Sequence, residues 1–380
     1  MQFSLSEEQE LLRQSTAAFV RDHSSLRRIR ALRDNRDADG FSRDLWKQMA
    51  DLGWLGIIFP PEYGGLGLGL RDLAVVLEEL GRGLMPEPLL SCVLLGGQII
   101  WRGGSAEQRE AVLPALIAGD LLLALAYQEP DSRYDATRVT TRAERAGGGW
   151  RLHGEKRFVI DGHVADQMVV SARTSGTVGE RDGITLFLID PRTPGIRVRR
   201  QWMVDNRTAA IVELDGVAAE AANMLGEVGR GAALLADVLD RATIGLCAEM
   251  LGSMAQAFTM TVEYLKTRKQ FGVPIGSFQA LKHRAAKMFI EVELARSAVM
   301  AAAAAADEGS PKLAEIVSIA KARCADGFAL IGNESVQMHG GIGMTDEHDI
   351  GFFLKRARVA EMTFGDAAFH RQRYAELHGY

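Results

Sequence analysis

Arg268 and Phe271 stand three residues apart in Arg268-Lys269-Gln270-Phe271-Gly272, with Gln279 a short way on. An arginine fork matches a pyrophosphate, and a ring beside it suits a flat heterocycle. Helical patterns flank the stretch, and Phe271-Gly272 and Pro274-Ile275-Gly276 form short turns between them. The same pattern equally suits a plain corner between two bundle helices, which needs no ligand.

Two further constellations could carry chemistry. Gln337-Met338-His339-Gly340-Gly341-Ile342-Gly343 closes a helical pattern with more glycine than a C-cap needs. Adjacent glycines let a ligand approach the backbone, and their N–H groups suit an anion. Asp240 lies on a stripe with Ala236, Ile244, Cys247 and Leu251. A carboxylate beside apolar neighbours is a candidate base. Asp237, four residues before Arg241, offers that arginine an ordinary helix ion pair. From pattern alone, a solvated charge on the bundle edge is the simpler reading of Asp240.

Other chemistries find little support. His339, His348 and His370 lack a carboxylate at metal-ligand spacing. No GxSxG elbow occurs, and Cys92, Cys247 and Cys324 are odd in number and scattered, which indicates neither a disulfide framework nor a metal site. A net charge of -5 without a basic stripe argues against nucleic acid. The acidic start MQFSLSEEQE lacks the apolar core of a signal peptide. The longest apolar run, Leu89 to Trp101, is too short to span a bilayer, so a soluble cytoplasmic protein is expected.

The elements that must position these residues read in three blocks. Helical patterns run to about Gly119, with Ser6 as an N-cap and helices over 44–52, 70–80 and 107–117. Phe59-Pro60-Pro61-Glu62-Tyr63-Gly64-Gly65-Leu66-Gly67 must be a tight loop. Short β-rich runs follow at 121–127, 150–152, 156–160, 167–172, 184–189 and 211–214, suggesting a small barrel or sandwich. Helical periodicity returns over about 231–267, 278–308, 311–339 and 349–378, four helices of bundle length. The expected architecture is α+β: an N-terminal all-α domain (1–119), a middle β-domain (120–226) and a C-terminal four-helix bundle (227–380).

Taken in order, these segments resemble the acyl-CoA dehydrogenase family over nearly the whole chain. The landmarks are Pro61-Glu62-Tyr63-Gly64-Gly65, Gly104-Ser105-Ala106-Glu107-Gln108-Arg109 with Leu113-Pro114, Glu129-Pro130, Arg268-Lys269-Gln270-Phe271-Gly272, Phe278-Gln279 and Gln337-Met338-His339-Gly340-Gly341. The resemblance implies FAD, an acyl-CoA thioester substrate and a dimer of dimers, as a homotetramer or as a hetero-oligomer with a related subunit. It also implies an electron-transfer flavoprotein as acceptor. Arg268, Phe271, Gln337, Gly340 and Gly341 match residues that contact a neighbouring subunit's FAD, with Gln279 in the same region. The flavin ring is expected near Tyr127, Gln128 and Phe158 to Ile160.

Departures from the family pattern bear on activity. Ile160 stands where a serine or threonine commonly reaches the flavin, and the loop Asp131-Ser132-Arg133-Tyr134-Asp135 is bulkier and more charged than usual. Phe364, in Thr363-Phe364-Gly365-Asp366, occupies the usual position of the catalytic glutamate, and Ala368 replaces a frequent FAD-contacting glutamine. A minority of members place the base on the first bundle helix immediately before an arginine, which matches Asp240 before Arg241. Asp240 is therefore the expected base, with Arg241 and Phe364 against the substrate. Two alternatives follow: a non-catalytic or half-site subunit of a hetero-oligomeric dehydrogenase, and a related flavin oxidase or monooxygenase.

Overall fold

The computed structural model describes residues 5–380, which divide into two compact units. The first comprises residues up to Asn35, Gly69–Met85 and Thr243–Tyr380; the second comprises Arg36–Leu68 and Pro86–Ala242. Helices α1 (Glu7–His23) and α2 (Leu26–Asp34) belong to the first unit, α3 (Arg43–Asp51) to the second and α4 (Leu70–Arg82) to the first. A π-helical turn over Leu90–Gly97 leads into α5 (Gln98–Gly103) and α6 (Ala106–Ile117), both in the second unit. Helix α2 and the π turn were not legible in the sequence.

Two family landmarks prove to be local folding signals. Ser105 and Gln108 form a reciprocal capping box that starts α6, and the Gln108 amide then donates to the carbonyls of Ala222 and Met224 at 2.8 and 2.9 Å. In the proline–glycine loop, Gly65 lies so close to Phe59 that a Cβ would sit 2.1 Å from its carbonyl oxygen.

The middle of the chain supplies, among the described residues, one curled sheet of eight strands. They are β1 (Leu123–Ala126), β2 (Arg142–Ala146), β3 (Gly149–Ile160), β4 (Gln167–Arg173), β5 (Ile184–Ile189), β6 (Ile196–Trp202), β7 (Thr208–Ala219) and β8 (Met224–Leu225). The order is β6-β7-β3-β2-β4-β5-β8, with β1 pairing parallel to β4. Most neighbours are antiparallel, as the helix-free run of strands implied. The two runs expected at 150–152 and 156–160 are one strand, β3, interrupted by two register shifts against β7. The sheet closes over a core that includes Trp150, Leu152, Val170, Phe187 and Val212.

Helix α7 (Gly231–Thr267) leads to a hairpin of β9 (Lys269–Gln270) and β10 (Val273–Pro274), then α8 (Gln279–Asp307) and α9 (Leu313–His339). The fourth bundle helix, expected to be continuous over 349–378, is instead broken. It becomes α10 (Ile350–Met362) and α11 (Ala367–Leu377), separated at Thr363–Asp366. The break is local: Phe364 and Gly365 take φ of 61° and 114°, and Asp366 caps α11 by accepting the Phe369 N–H at 2.8 Å. Within the first unit, α4 and the following part of α7 approach until backbones touch. A Cβ on Gly252 would lie 1.7 Å from the Glu78 carbonyl, and one on Gly81 would lie 2.1 Å from that of Glu249.

Candidate active site

In the second unit, the site residues gather at the last turn of β3. Lys156 and Val159 flank a register shift, so Phe158 is extruded with φ 49° and is 55 % exposed. Its N–H donates to Gln201 Oε1 at 3.3 Å. Ile160, half-buried, pairs with Ala209, and Trp202 on β6 pairs with Thr208. Register therefore sets Trp202, also exposed, at the same end of the sheet as Phe158 and Ile160. Trp202 escaped the sequence reading because β6 carries Arg197, Arg199, Arg200 and Gln201, which hide its strand character.

Tyr127 is buried, which pushes its phenol up from its ordinary value. The Gln128 carbonyl accepts the Arg157 N–H at 2.9 Å, while its side-chain amide donates to the Arg133 carbonyl at 3.1 Å. These bonds fasten the 128–135 loop to β3 beside Phe158. Beneath them the Lys156 ammonium donates to Glu129 Oε1 at 2.7 Å and to Ser171 Oγ at 3.0 Å. Both side chains of that pair are buried. Burial alone would raise the Glu129 carboxyl, but Lys156, Thr140 and Thr141 hold it down at about 2. Burial draws the Lys156 ammonium down to about 8 against the pull of Glu129. Sequence reading treated Glu129 only as a landmark; no local signal ties it to a lysine 27 residues away.

Asp240, only 8 % exposed, sits on α7. The solvated edge position favoured by pattern alone is therefore not what the fold gives. Arg241 behaves as its spacing implies: its Nε lies 3.2 Å from both oxygens of Asp237, which also meets Arg102 at 3.2 Å.

In the first unit, the corner after α7 is a two-residue hairpin. Phe271 and Gly272 both have positive φ, 54° and 79°, matching the right-handed twist of a paired hairpin. The Ile275 N–H donates to the Arg268 carbonyl at 2.8 Å, and Phe278 stacks edge-on to Phe271 with centroids 6.0 Å apart. Phe271 is nevertheless 92 % exposed. Arg268 and Gln279, the first residue of α8, are exposed as well. A rigidly held, solvent-facing ring on the hairpin that follows an exposed arginine is costly for a plain corner and apt for a ligand.

The α9 terminus is brought to this corner by aromatic packing. Tyr264, whose carbonyl accepts the Arg268 N–H at 2.9 Å, stacks on His339 with centroids 4.4 Å apart. His339 is buried and in turn contacts His348 at 4.4 Å. Its Nδ1 faces the Ser335 carbonyl at 2.6 Å, an acceptor only, so Nδ1 carries the proton. Next to it, Gly340 takes φ 66° and ψ -143°, a region essentially closed to residues with a Cβ. A Cβ on Gly340 or Gly341 would meet nothing within 4 Å. The two glycines thus leave open space beside exposed Gln337. Open glycine backbone, the Arg268 fork and the exposed Phe271 ring together fit a dinucleotide cofactor.

The Thr363–Asp366 break is pinned from two sides. Lys321 on α9, fully buried, donates to the Glu361 carbonyl at 2.9 Å and the Gly365 carbonyl at 2.6 Å. Burial draws its ammonium down to about 8. His370 Nε2 lies 3.1 Å from the Phe364 carbonyl, so Nε2 is the protonated nitrogen. Burial holds that imidazole down at about 3, hence neutral. Phe364 itself is buried, while Ala368 lies exposed on α11.

Fold and family matches define a flavin-dependent oxidoreductase. The chain matches the N-terminal, middle and C-terminal domains of acyl-CoA dehydrogenase over residues 6–120, 124–217 and 229–377, and it belongs to the acyl-CoA dehydrogenase family. It is 33 % identical to mitochondrial isovaleryl-CoA dehydrogenase of Pongo abelii, covering 97 % of this chain and 88 % of that one. Butyryl-CoA dehydrogenase from Megasphaera elsdenii shares the fold at TM-score 0.91 and 27 % identity, over 100 % of both chains. A chain of the ChsE4-ChsE5 complex from Mycobacterium tuberculosis matches at TM-score 0.90 and 27 % identity, over 100 % of this chain and 99 % of that one. The family comprises FAD-dependent oxidoreductases acting on CH–CH bonds, and FAD is its cofactor. Among the described residues no helix is long and apolar enough to cross a membrane, and no cluster of potential ligands could hold a metal ion.

Proposed function

We propose that the chain catalyses α,β-dehydrogenation of an acyl-CoA thioester, with Asp240 as the base that takes the α-proton. The observation that carries this reading is a buried carboxylate immediately before Arg241, in a chain whose usual glutamate position is filled by Phe364. A phenyl ring cannot accept a proton. FAD would supply the two-electron acceptor for the hydride leaving Cβ; Tyr127, Gln128, Phe158 and Ile160 would line its flavin end, while Arg268, Phe271, Gln279, Gln337, Gly340 and Gly341 would hold the FAD of a neighbouring subunit.

An α-proton of a thioester is weakly acidic, so charge developing on the carbonyl oxygen needs a donor. Phe364 retains a backbone N–H whatever its side chain, and among the described residues that N–H has no acceptor. It is assigned to the thioester oxygen, with the ring and Arg241 against the substrate. Aspartate is one methylene shorter than glutamate, and a misplacement of ~1 Å can cost roughly a hundredfold in rate. The substrate must therefore approach α7 more closely than it would a glutamate.

Asp240→Asn removes the base and keeps the shape. The variant should retain FAD, while bleaching of its flavin by acyl-CoA slows by at least about a thousandfold. Undiminished bleaching would refute the assignment. Straight-chain, branched, dicarboxyl and steroid-side-chain acyl-CoAs should be screened, because the acyl group is open.

A second reading is favoured by Phe364 and by the existence of the ChsE4-ChsE5 complex as a structural relative. The chain would be a half-site subunit that lends its Arg268 corner to a partner's FAD. Exposed Phe289, Ile290 and Leu294 on α8 and Ile319 on α9 suit assembly with a second copy or a related chain, with an electron-transfer flavoprotein as external acceptor. Expression of the chain alone separates the readings. A yellow protein that bleaches supports the stand-alone enzyme; a colourless one that gains flavin only with a second polypeptide supports the half-site.

A further inference from the structure

The turn that carries Phe364 is held far more tightly than a helix break requires. Four consecutive constraints surround the peptide unit joining Thr363 to Phe364. On one side the Thr363 N–H ends α10 by donating to the Val359 carbonyl at 3.0 Å, and the Glu361 carbonyl takes a bond from Lys321. On the other side the Phe364 carbonyl faces His370 Nε2, and the Gly365 carbonyl takes the second Lys321 bond. The peptide unit left between them bears the N–H that has no acceptor among the described residues.

These constraints have a cost. Lys321 is fully buried, and its two described hydrogen bonds go to backbone carbonyls of this turn. His370 spends its only proton on the Phe364 carbonyl, leaving Nδ1 buried without a partner. Phe364 itself accepts a left-handed φ of 61°, unusual for a bulky residue. Such a backbone, pinned on both sides, fixes the direction of the Phe364 N–H.

We propose that Lys321 and His370 are positioning residues that aim the Phe364 N–H at the thioester carbonyl, so that the donor works independently of the side chain at 364. This rests on the dehydrogenation reading above. Lys321 bridges α9 to both ends of the turn, and His370 ties the turn to the first residues of α11. Together they replace the freedom of an exposed loop with a preorganised donor, which needs no reorganisation when charge develops on the thioester oxygen.

The test is titration of the FAD-loaded protein with acetoacetyl-CoA, whose enolate absorbs in the near ultraviolet. Wild type should bind the ligand and stabilise its enolate. Lys321→Met and His370→Phe should retain FAD and bind acetoacetyl-CoA with similar affinity, yet the enolised fraction at fixed pH should fall by about tenfold to a hundredfold. His370→Asn, which keeps a donor, should recover part of the loss. A merely structural role would lower flavin content or melting temperature and leave the enolised fraction of the bound ligand unchanged; that result overturns the inference. If Lys321→Met does not fold, His370→Phe decides by the same readout. If neither folds, amide hydrogen exchange at Phe364 in wild type decides: protection on ligand binding supports the assignment, and unchanged exchange overturns it. A wild type that binds acetoacetyl-CoA without enolising it defeats the parent reading, and the inference falls with it.

Discussion

The Lys156 ammonium meets Glu129 Oε1 at 2.7 Å in the interior of the sheet unit, directly beneath the loop that borders Phe158. Two charges removed from water are tolerated there because each is further satisfied: Glu129 by the N–H groups of Thr140 and Thr141 at 2.7 and 3.0 Å, Lys156 by Ser171. Such a pair adds little over an apolar one, but losing one partner strands a buried charge.

Lys156→Met should therefore destabilise the protein by about 3–5 kcal/mol, and Glu129→Gln combined with Lys156→Met by less than the sum of the singles. Urea unfolding followed by circular dichroism measures both. The acid limb carries a further signature. Glu129 is held at about 2, below its unfolded value, so its contribution is present above the unfolded value and is lost as pH falls through about 2. Glu129→Gln should flatten the decline of melting temperature over that acid range. An unchanged acid limb would show that the pair does not govern it.

Phe271 and Arg268 should separate cofactor binding from folding. Phe271 is almost wholly exposed on its hairpin, so Phe271→Ala should change apoprotein stability by no more than about 0.5 kcal/mol. The ratio of flavin to protein after gel filtration should nevertheless fall by about tenfold for Phe271→Ala and for Arg268→Ala. Arg268→Lys should fail to restore it, because an ammonium cannot make the paired bonds of a guanidinium fork. Full flavin retention in all three variants would leave the hairpin as a structural corner.

The approach of α4 to α7 makes a test of the scaffold with a built-in control. A methyl at Gly252 would press on the Glu78 carbonyl, which is backbone and cannot swing aside. Gly252→Ala should cost more than about 2 kcal/mol. Gly351 in α10 has nothing within 4 Å of its Cβ position, and Gly351→Ala should stabilise by up to about 1 kcal/mol through helix propensity. Equal urea midpoints for the two variants would contradict the close crossing.

The extent to which the sequence foretold this protein follows from the range of each interaction. The start of helix α1 at Ser6, the helix α6, the Phe271-Gly272 turn and the Gly340 helix end are set within a few residues. They were legible for that reason. So was the order of helices, strands and helices, because apolar periodicity differs between the two element types.

What tertiary structure decided lies beyond that reach. Strand β6 pairs with β7 along its length, yet its arginines conceal it until that partner is known. Glu129 finds Lys156 across the interior of the sheet unit, and Lys321 finds the Gly365 carbonyl 44 residues on. The fourth bundle helix reads as one continuous pattern, and the contacts from α9 and His370 are what hold it broken at Phe364. A charge or a donor becomes chemically specific only when distant backbone fixes its direction and burial removes water. The residue types were therefore visible in the chain, while the pinning of the Phe364 turn, the burial of Asp240 and the foundation under Phe158 were products of the folded packing.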